Sequence, residues 1–244
     1  MTVTRLVAPA KLTLSLRVTG LRSDGYHFID AEMVSVDLCD ELLLSDGSDL
    51  VVRSAGSGLE VPVNENNLVT RALGLVGREV GVTIEKEIPA GAGLGGGSTD
   101  AAAILRWAGF DDLVAAVDLG SDVAFCLRGG RARVRGTGEI LDPLPHLDQE
   151  ITLLIPPIGV STPEVYRAWD ELDGPIGLHG NDLEEAAIAV EPEIAEWRDV
   201  LSEATGTRAR LAGSGGTWFV EGRHETIVHR GIASRTVRTM PPMP

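Results

Sequence analysis

The densest chemical signal in the sequence is the run Pro89, Ala90, Gly91, Ala92, Gly93, Leu94, Gly95, Gly96, Gly97, Ser98, Thr99. Five glycines in the seven positions from Gly91 to Gly97 leave the backbone N–H groups bare. Placed between a strand and a helix start, such a loop can wrap an anion, and the helix N-terminus adds partial positive charge. Gly91, Gly93 and Gly96 also satisfy G-x-G-x-x-G, with Asp111 or Asp112 roughly where a ribose-binding acid would stand. The surrounding chain lacks the β-α-β alternation of a dinucleotide fold, and no Gly-Lys-Ser/Thr follows to make a Walker loop. Phosphate binding is the expectation.

Three further features carry chemistry only in combination. Lys11, in Ala8-Pro9-Ala10-Lys11, and Lys86 are the only lysines among 21 basic residues, the rest being arginine. In so arginine-biased a chain, a lysine can mark a site needing a compact ammonium. Asp122 lies between a tight turn and an apolar stretch; alone it reads as a cap or turn residue. A second glycine cluster, Gly213 to Gly216, follows a short strand and alone reads as a hairpin turn.

The elements that must position these residues alternate between strand and helix patterns. Leu12, Leu14, Leu16 and Val18 fall on one face of a period-2 strand, with Lys11, Thr13, Ser15 and Arg17 on the other. A polar turn over 21–27 leads into strand patterns over 28–38, 42–44 and 50–52. Asn66 or Asn67 caps a helix bearing Leu68, Ala72, Leu75 and Val76. Residues 80–88 return to strand, ended by Pro89, and the glycine run opens a helix with Ser98 or Thr99 near its first turn. Strands are expected at 123–127 and 131–135. The proline-containing stretch 141–149 marks a boundary. Beyond it come a strand at 151–155, helices at 163–172, 182–189 and 192–204, and paired short strands at 208–211 and 217–220. The pattern is α+β in two lobes, 1–148 and 149–244.

Composition bounds the function. With 244 residues the chain can build one large domain or two ordinary ones. Its net charge of −15 argues against a nucleic-acid binder. No apolar run is long enough to span a membrane, and the N-terminus lacks the pattern of a signal peptide. Cys39 and Cys126 are far apart, which excludes a disulfide scaffold and a cysteine zinc site. A soluble cytoplasmic protein is expected; no feature specifies an oligomeric state.

Taken in order, Pro-Ala-Lys, the Pro-x-x-x-Gly-Leu-Gly-Gly-Gly-Ser loop and Gly-Ser-Gly-Gly resemble the three motifs of the GHMP kinases. Within them the chain resembles the 4-diphosphocytidyl-2-C-methyl-D-erythritol kinases, through APAKLTLSLRVTGLRSDGYH, GLGGGSTDAA, LGSDVAF, RGTGEIL, VSTPEVY and GNDLE. The resemblance implies an N-terminal ATP-binding α/β lobe and a ferredoxin-like C-terminal lobe. It implies transfer of phosphate from ATP, with Mg2+, to the 2-hydroxyl of a cytidine-diphosphate-linked methylerythritol, in isoprenoid precursor synthesis. It puts the catalytic pair on Lys11 and Asp122, and the ATP phosphates on Pro89 to Thr99, with Ser98 a candidate magnesium contact. It gives Asn67, Leu68 and Lys86 to the nucleotide pocket. Acceptor binding falls to Thr13, Tyr26, His27, Tyr166 and Gly213, the two tyrosines stacking on cytosine and His27 reading its edge. Asn181 and Asp182 read as a helix cap.

Two departures bear on the acceptor: the family carries Asn where Thr13 stands, and Pro where Ala124 stands. The stretch before Asp122 is short, and the C-terminal tail lacks a long helix. The rival readings are a kinase of the same superfamily acting on another small alcohol, a catalytically silent nucleotide-binding module, and, more distantly, a nicotinamide-binding protein. Because both substrates are anionic and the protein is acidic, binding must rest on local donors, and a strong magnesium requirement is expected.

Overall fold

The structure is a computed structural model and describes residues 3–54 and 61–243. Two antiparallel-dominated sheets carry the helices. The first is built around the hairpin of β1 (Thr4–Leu21) and β2 (His27–Ser45), which pair along nearly their whole length. The other edge of β2 is shared. One end pairs with β4 (Gly81–Lys86), which continues to a parallel partner, β3 (Leu50–Ser54). The other end pairs with β5 (Arg131–Gly136), which continues to β6 (Ile140–Pro143).

The second sheet has the order β12 (Arg235–Arg238), β7 (Glu150–Leu154), β9 (Trp218–Glu221), β8 (Arg210–Leu211). A small ribbon of β10 (Val228–His229) and β11 (Ile232–Ala233) precedes β12. The tail therefore ends as strand rather than helix. It also crosses back to the first sheet, where Met240 N donates to Ser35 O, in the gap that β4 and β5 leave on β2. An apolar cluster joins the two sheets: Leu12 and Val34 from the first, with Ile88 just beyond β4, pack with Ile151, Phe219 and Val237 from the second.

The helices are α1 (Leu68–Leu75), α2 (Gly96–Trp107), α3 (Leu113–Leu119), α4 (Val123–Arg128), α5 (Thr162–Glu171), α6 (Glu184–Val190) and α7 (Ile194–Thr205). Several sequence expectations change here. Residues 123–127 are helix, not strand: all five are buried, and a short apolar run does not by itself distinguish a buried helix from a strand. Asp112 caps α3, accepting from Val114 N and Ala115 N, so it is committed to local structure and not to a ribose. The leucines of β1 do not share one face. A bulge between Thr13 and Ser15 reverses the alternation, so Leu12 joins the cluster between the sheets and Leu16 the larger core beneath the helices. Cys39 and Cys126 are both free. Among the described residues no helix is long and apolar enough to cross a membrane.

Candidate active site

The edge of β1 that does not pair with β2 is where the site assembles. Lys11 N donates to Leu94 O at 3.0 Å, and Leu16 N donates to Gly180 O at 2.8 Å, so loops from both halves of the chain dock on that edge. The glycine loop spans the gap between β4 and α2. Its stems are tied together below by a buried triad: the Lys86 ammonium bonds to Asp100 Oδ2 at 2.8 Å and to Asp40 Oδ2. Asp40 Oδ1 also accepts from Glu87 N and Ile88 N, fixing the strand end just before Pro89. Burial, reinforced by Asp40 and partly offset by Lys86, pushes the Asp100 carboxyl up to about 7.

The helix starts at Gly96, after Gly95 at the N-cap, so Ser98 and Thr99 stand in its first turn as the sequence suggests. Gly95 has φ +70°, and a Cβ there would come within 2.7 Å of Lys11 Cγ. Glycine at this position serves conformation and close approach at once. Thr99 is turned inward, donating to Pro9 O at 2.7 Å, whereas Ser98 Oγ has no hydrogen-bond partner among the described residues. On the far side, Val160 N donates to Gly91 O, and Thr217 donates to Ala92 O through both N and Oγ1. These three hydrogen bonds pin the loop at Gly91 and Ala92, and Gly95 packs it against Lys11 on the side of β1.

On that side Lys11 Nζ stands 3.2 Å from Asp122 Oδ2 and donates to Thr13 Oγ1 at 3.2 Å. Asp122 precedes α4 but makes no capping hydrogen bond; its carboxylate is given to Lys11 instead. Lys11 is buried and Asp122 partly open to a cavity of about 440 Å³. Gly213 closes the group: a Cβ on it would lie 3.3 Å from Thr13 Oγ1 and 3.4 Å from Lys11 Nζ. Asn181 supports this cluster from behind, donating to Leu211 O and Gly213 O while accepting from Leu183 N. Asp182 binds Arg17 Nη1, Val18 N and Gly177 N. Neither residue is a simple helix cap; together they bind the second glycine cluster and its flanking loop to β1.

Tyr26, His27 and Tyr166 line the same cavity. His27 stacks on Tyr166 with ring centroids 4.8 Å apart, meets Trp169 edge-on at 5.7 Å, and joins Asp170 Oδ1 through Nε2 at 2.8 Å. Burial, with a smaller push from the charge of Asp122, raises the Tyr166 phenol above its ordinary range, so it stays protonated. Tyr26 is exposed, with Arg22 over its ring at 5.0 Å. Tyr26 and Tyr166 thus both line the cavity, but the structure stacks Tyr166 on His27 rather than on Tyr26.

The nucleotide-pocket residues divide. Asn67 caps α1, its Oδ1 accepting from Val69 N and its Nδ2 donating to Pro62 O. Leu68 Cδ1 lies 3.7 Å from where a Cβ on Gly97 would stand, beside the loop. Lys86 is buried under α2, 3.0 Å from a Cβ position on Gly96, with its ammonium spent on two carboxylates. Sequence reasoning did not find Asp40, Asp100 or Asp170; as lone acids in strand or helix patterns they carry no spacing signal.

Residues 67–130 match the N terminal domain of the GHMP kinases. A 4-diphosphocytidyl-2-C-methyl-D-erythritol kinase of Paracoccus denitrificans is 41% identical over 242 residues, covering 88% of this chain and 85% of that one. The chain belongs to this family of GHMP kinases. It is an ATP-dependent kinase. A crystal structure of 4-(cytidine 5'-diphospho)-2C-methyl-D-erythritol kinase superposes with a TM-score of 0.72 at 30% identity, covering 97% of this chain and 99% of that one. A homoserine kinase from Cytophaga hutchinsonii shares the fold, with a TM-score of 0.60 at 20% identity over 99% and 96% of the two chains.

Proposed function

We propose that the chain transfers the γ-phosphoryl group of ATP to the 2-hydroxyl of 4-(cytidine 5'-diphospho)-2-C-methyl-D-erythritol, as a cytoplasmic step of isoprenoid precursor synthesis. One observation carries the reading: Lys11 and Asp122 meet at 3.2 Å in the lining of a cavity that His27 and Tyr166 also line, with Gly95 of the glycine loop packed against Lys11. In this reading residues 1–148 form the ATP-binding lobe and 149–244 the second lobe.

Phosphoryl transfer asks mostly for positioning and electrostatic stabilisation. The backbone N–H groups of Gly91 to Gly97 and the start of α2 bind the triphosphate. Asp122 accepts the proton of the attacking hydroxyl, while Lys11 favours its ionised form and offsets charge on the moving phosphoryl group. Thr13 and Gly213 set the position of the Lys11 ammonium. Magnesium fits this site as a guest of the nucleotide: no cluster of three metal-ligating side chains occurs among the described residues, but Ser98 Oγ is free and Asp122 is partly open. Bound by the phosphates and Ser98, it would neutralise the triphosphate and draw charge from the bridging oxygen. His27, Tyr26 and Tyr166 hold the cytosine.

Coupled ADP release with Mg2+, measured with and without the acceptor, tests the reading. Acceptor-dependent turnover that collapses in both Lys11→Ala and Asp122→Asn supports it. Turnover with a different alcohol alone assigns the site to another acceptor. ATP binding without turnover of any alcohol leaves only a nucleotide-binding module.

A further inference from the structure

Arginine is abundant in this chain and almost always neutralised in place. Arg78, Arg128 and Arg167 are the arginines whose guanidinium groups have no hydrogen-bond or ion-pair partner among the described residues. Of these three, only Arg167 lines the cavity that holds Lys11 and Asp122.

Its freedom has a structural reason. Arg167 follows Tyr166 on α5, and of the carboxylates at helical spacing from it, Glu164, Asp170 and Glu171, Asp170 is the one that lines the same cavity. Asp170 is engaged by His27 at 2.8 Å. The other carboxylate of the cavity, Asp122, is engaged by Lys11. Both acids thus have their bonds elsewhere, and the Arg167 guanidinium is left in the cavity lining without a side-chain partner among the described residues. A protein of net charge −15 repels an anionic ligand at long range, so attraction must come from such a local donor.

We infer that Arg167 is a specificity-determining residue that binds a phosphate or diphosphate group on the acceptor, its planar fork suiting a phosphate bidentately. It makes the cavity select phosphorylated acceptors over neutral alcohols. The inference rests on the proposed acceptor for its full form, but the anion subsite can be tested without it.

The experiment is calorimetric titration of the whole chain, with Mg2+ and a non-hydrolysable ATP analogue filling the nucleotide site. The titrants are cytidine, CDP and inorganic pyrophosphate. Wild type should bind CDP about ten- to hundredfold more tightly than cytidine. In Arg167→Gln that gap closes while cytidine affinity holds, which also shows the variant is folded; Arg167→Lys recovers part of the gap. Persistence of the gap in Arg167→Gln overturns the inference, and so does an equal loss for cytidine and CDP. Equal affinity of wild type for cytidine and CDP removes the anion subsite but keeps the cytidine reading. Pyrophosphate binding that depends on Arg167, with no preference for cytidine compounds, keeps the subsite and removes that reading. Binding of none of the three removes both.

Discussion

Gly93 and Gly215 meet backbone to backbone. A Cβ on Gly93 would come within 2.7 Å of the Gly215 Cα and 2.8 Å of Ala212 O, and a Cβ on Gly215 would overlap Gly93 N and Cα. The two glycine clusters are thus one structure, each making room for the other, with Thr217 bonded to Ala92 O beside the contact.

Gly215→Ala must push the loops apart, because the clash is with backbone that cannot rotate away. Overpacking of this kind costs about 1–3 kcal/mol. A loop shifted by an ångström should lower kcat/KM by about a hundredfold, out of proportion to the stability lost. Gly74→Ala is the counterpart: it lies in α1 with open space around it, and should gain about 0.5–1 kcal/mol. Denaturant melts with kinetics on both variants check the contrast.

The contact between clusters also shows what the sequence could and could not convey. The loop was legible because its glycine run is unusual, and Lys11 because lysine is rare in this chain. Asp122 was legible only through the family resemblance. The strand and helix around the loop were legible because their periods are clean. Helix α4 was not, since Val123–Leu127 is apolar on every side and has no period to read. The β1 bulge was not, because one skipped residue leaves the alternation of Leu12 to Val18 intact on paper. The Asp40–Lys86–Asp100 triad was not, because its members come from β2, β4 and α2 and only folding brings them within bonding distance.

That triad sets a stability and pH prediction. Lys86→Met strands two buried carboxylates and should cost about 3–5 kcal/mol. The pH effect runs through Asp100. Unfolded, it ionises near 3.8; folded, it keeps its proton up to about 7. Across that window the folded state binds more protons, so this group's contribution to stability falls as pH rises. Asp100→Asn is neutral throughout. Hence the melting temperature of wild type minus that of Asp100→Asn should decline between pH 3.8 and about 7 and level off above; a flat difference would count against the buried proton.

Thr13 tests how finely Lys11 must be held. Thr13→Val keeps the shape and removes the oxygen at 3.2 Å, leaving Asp122 as the remaining side-chain partner of a buried ammonium. Loss of one partner from a buried donor costs about 1–3 kcal/mol, and kcat should fall with it as the ammonium swings from its place. Thr13→Asn, the residue the family pattern carries, restores an oxygen acceptor and should restore kcat. Equal activity in the valine and asparagine variants would show that Asp122 alone positions Lys11.

Asp170 tests how the base is read. Where the His27 ring is neutral and Nε2 donates to Asp170, Nδ1 is left as an acceptor. An acceptor suits the amino group of cytosine and repels the carbonyl that uracil offers at the same position. Asp170→Ala releases that constraint, and either tautomer then becomes available to the ring. The ratio of CDP to UDP affinity should therefore fall by about tenfold. Both ligands carry the same diphosphate, so any contribution from Arg167 cancels in the ratio. Asp170→Asn can still accept from Nε2 and should retain much of the preference. If the ratio holds in Asp170→Ala, the backbone of the 21–27 turn, and not the His27 ring, is what distinguishes the two bases.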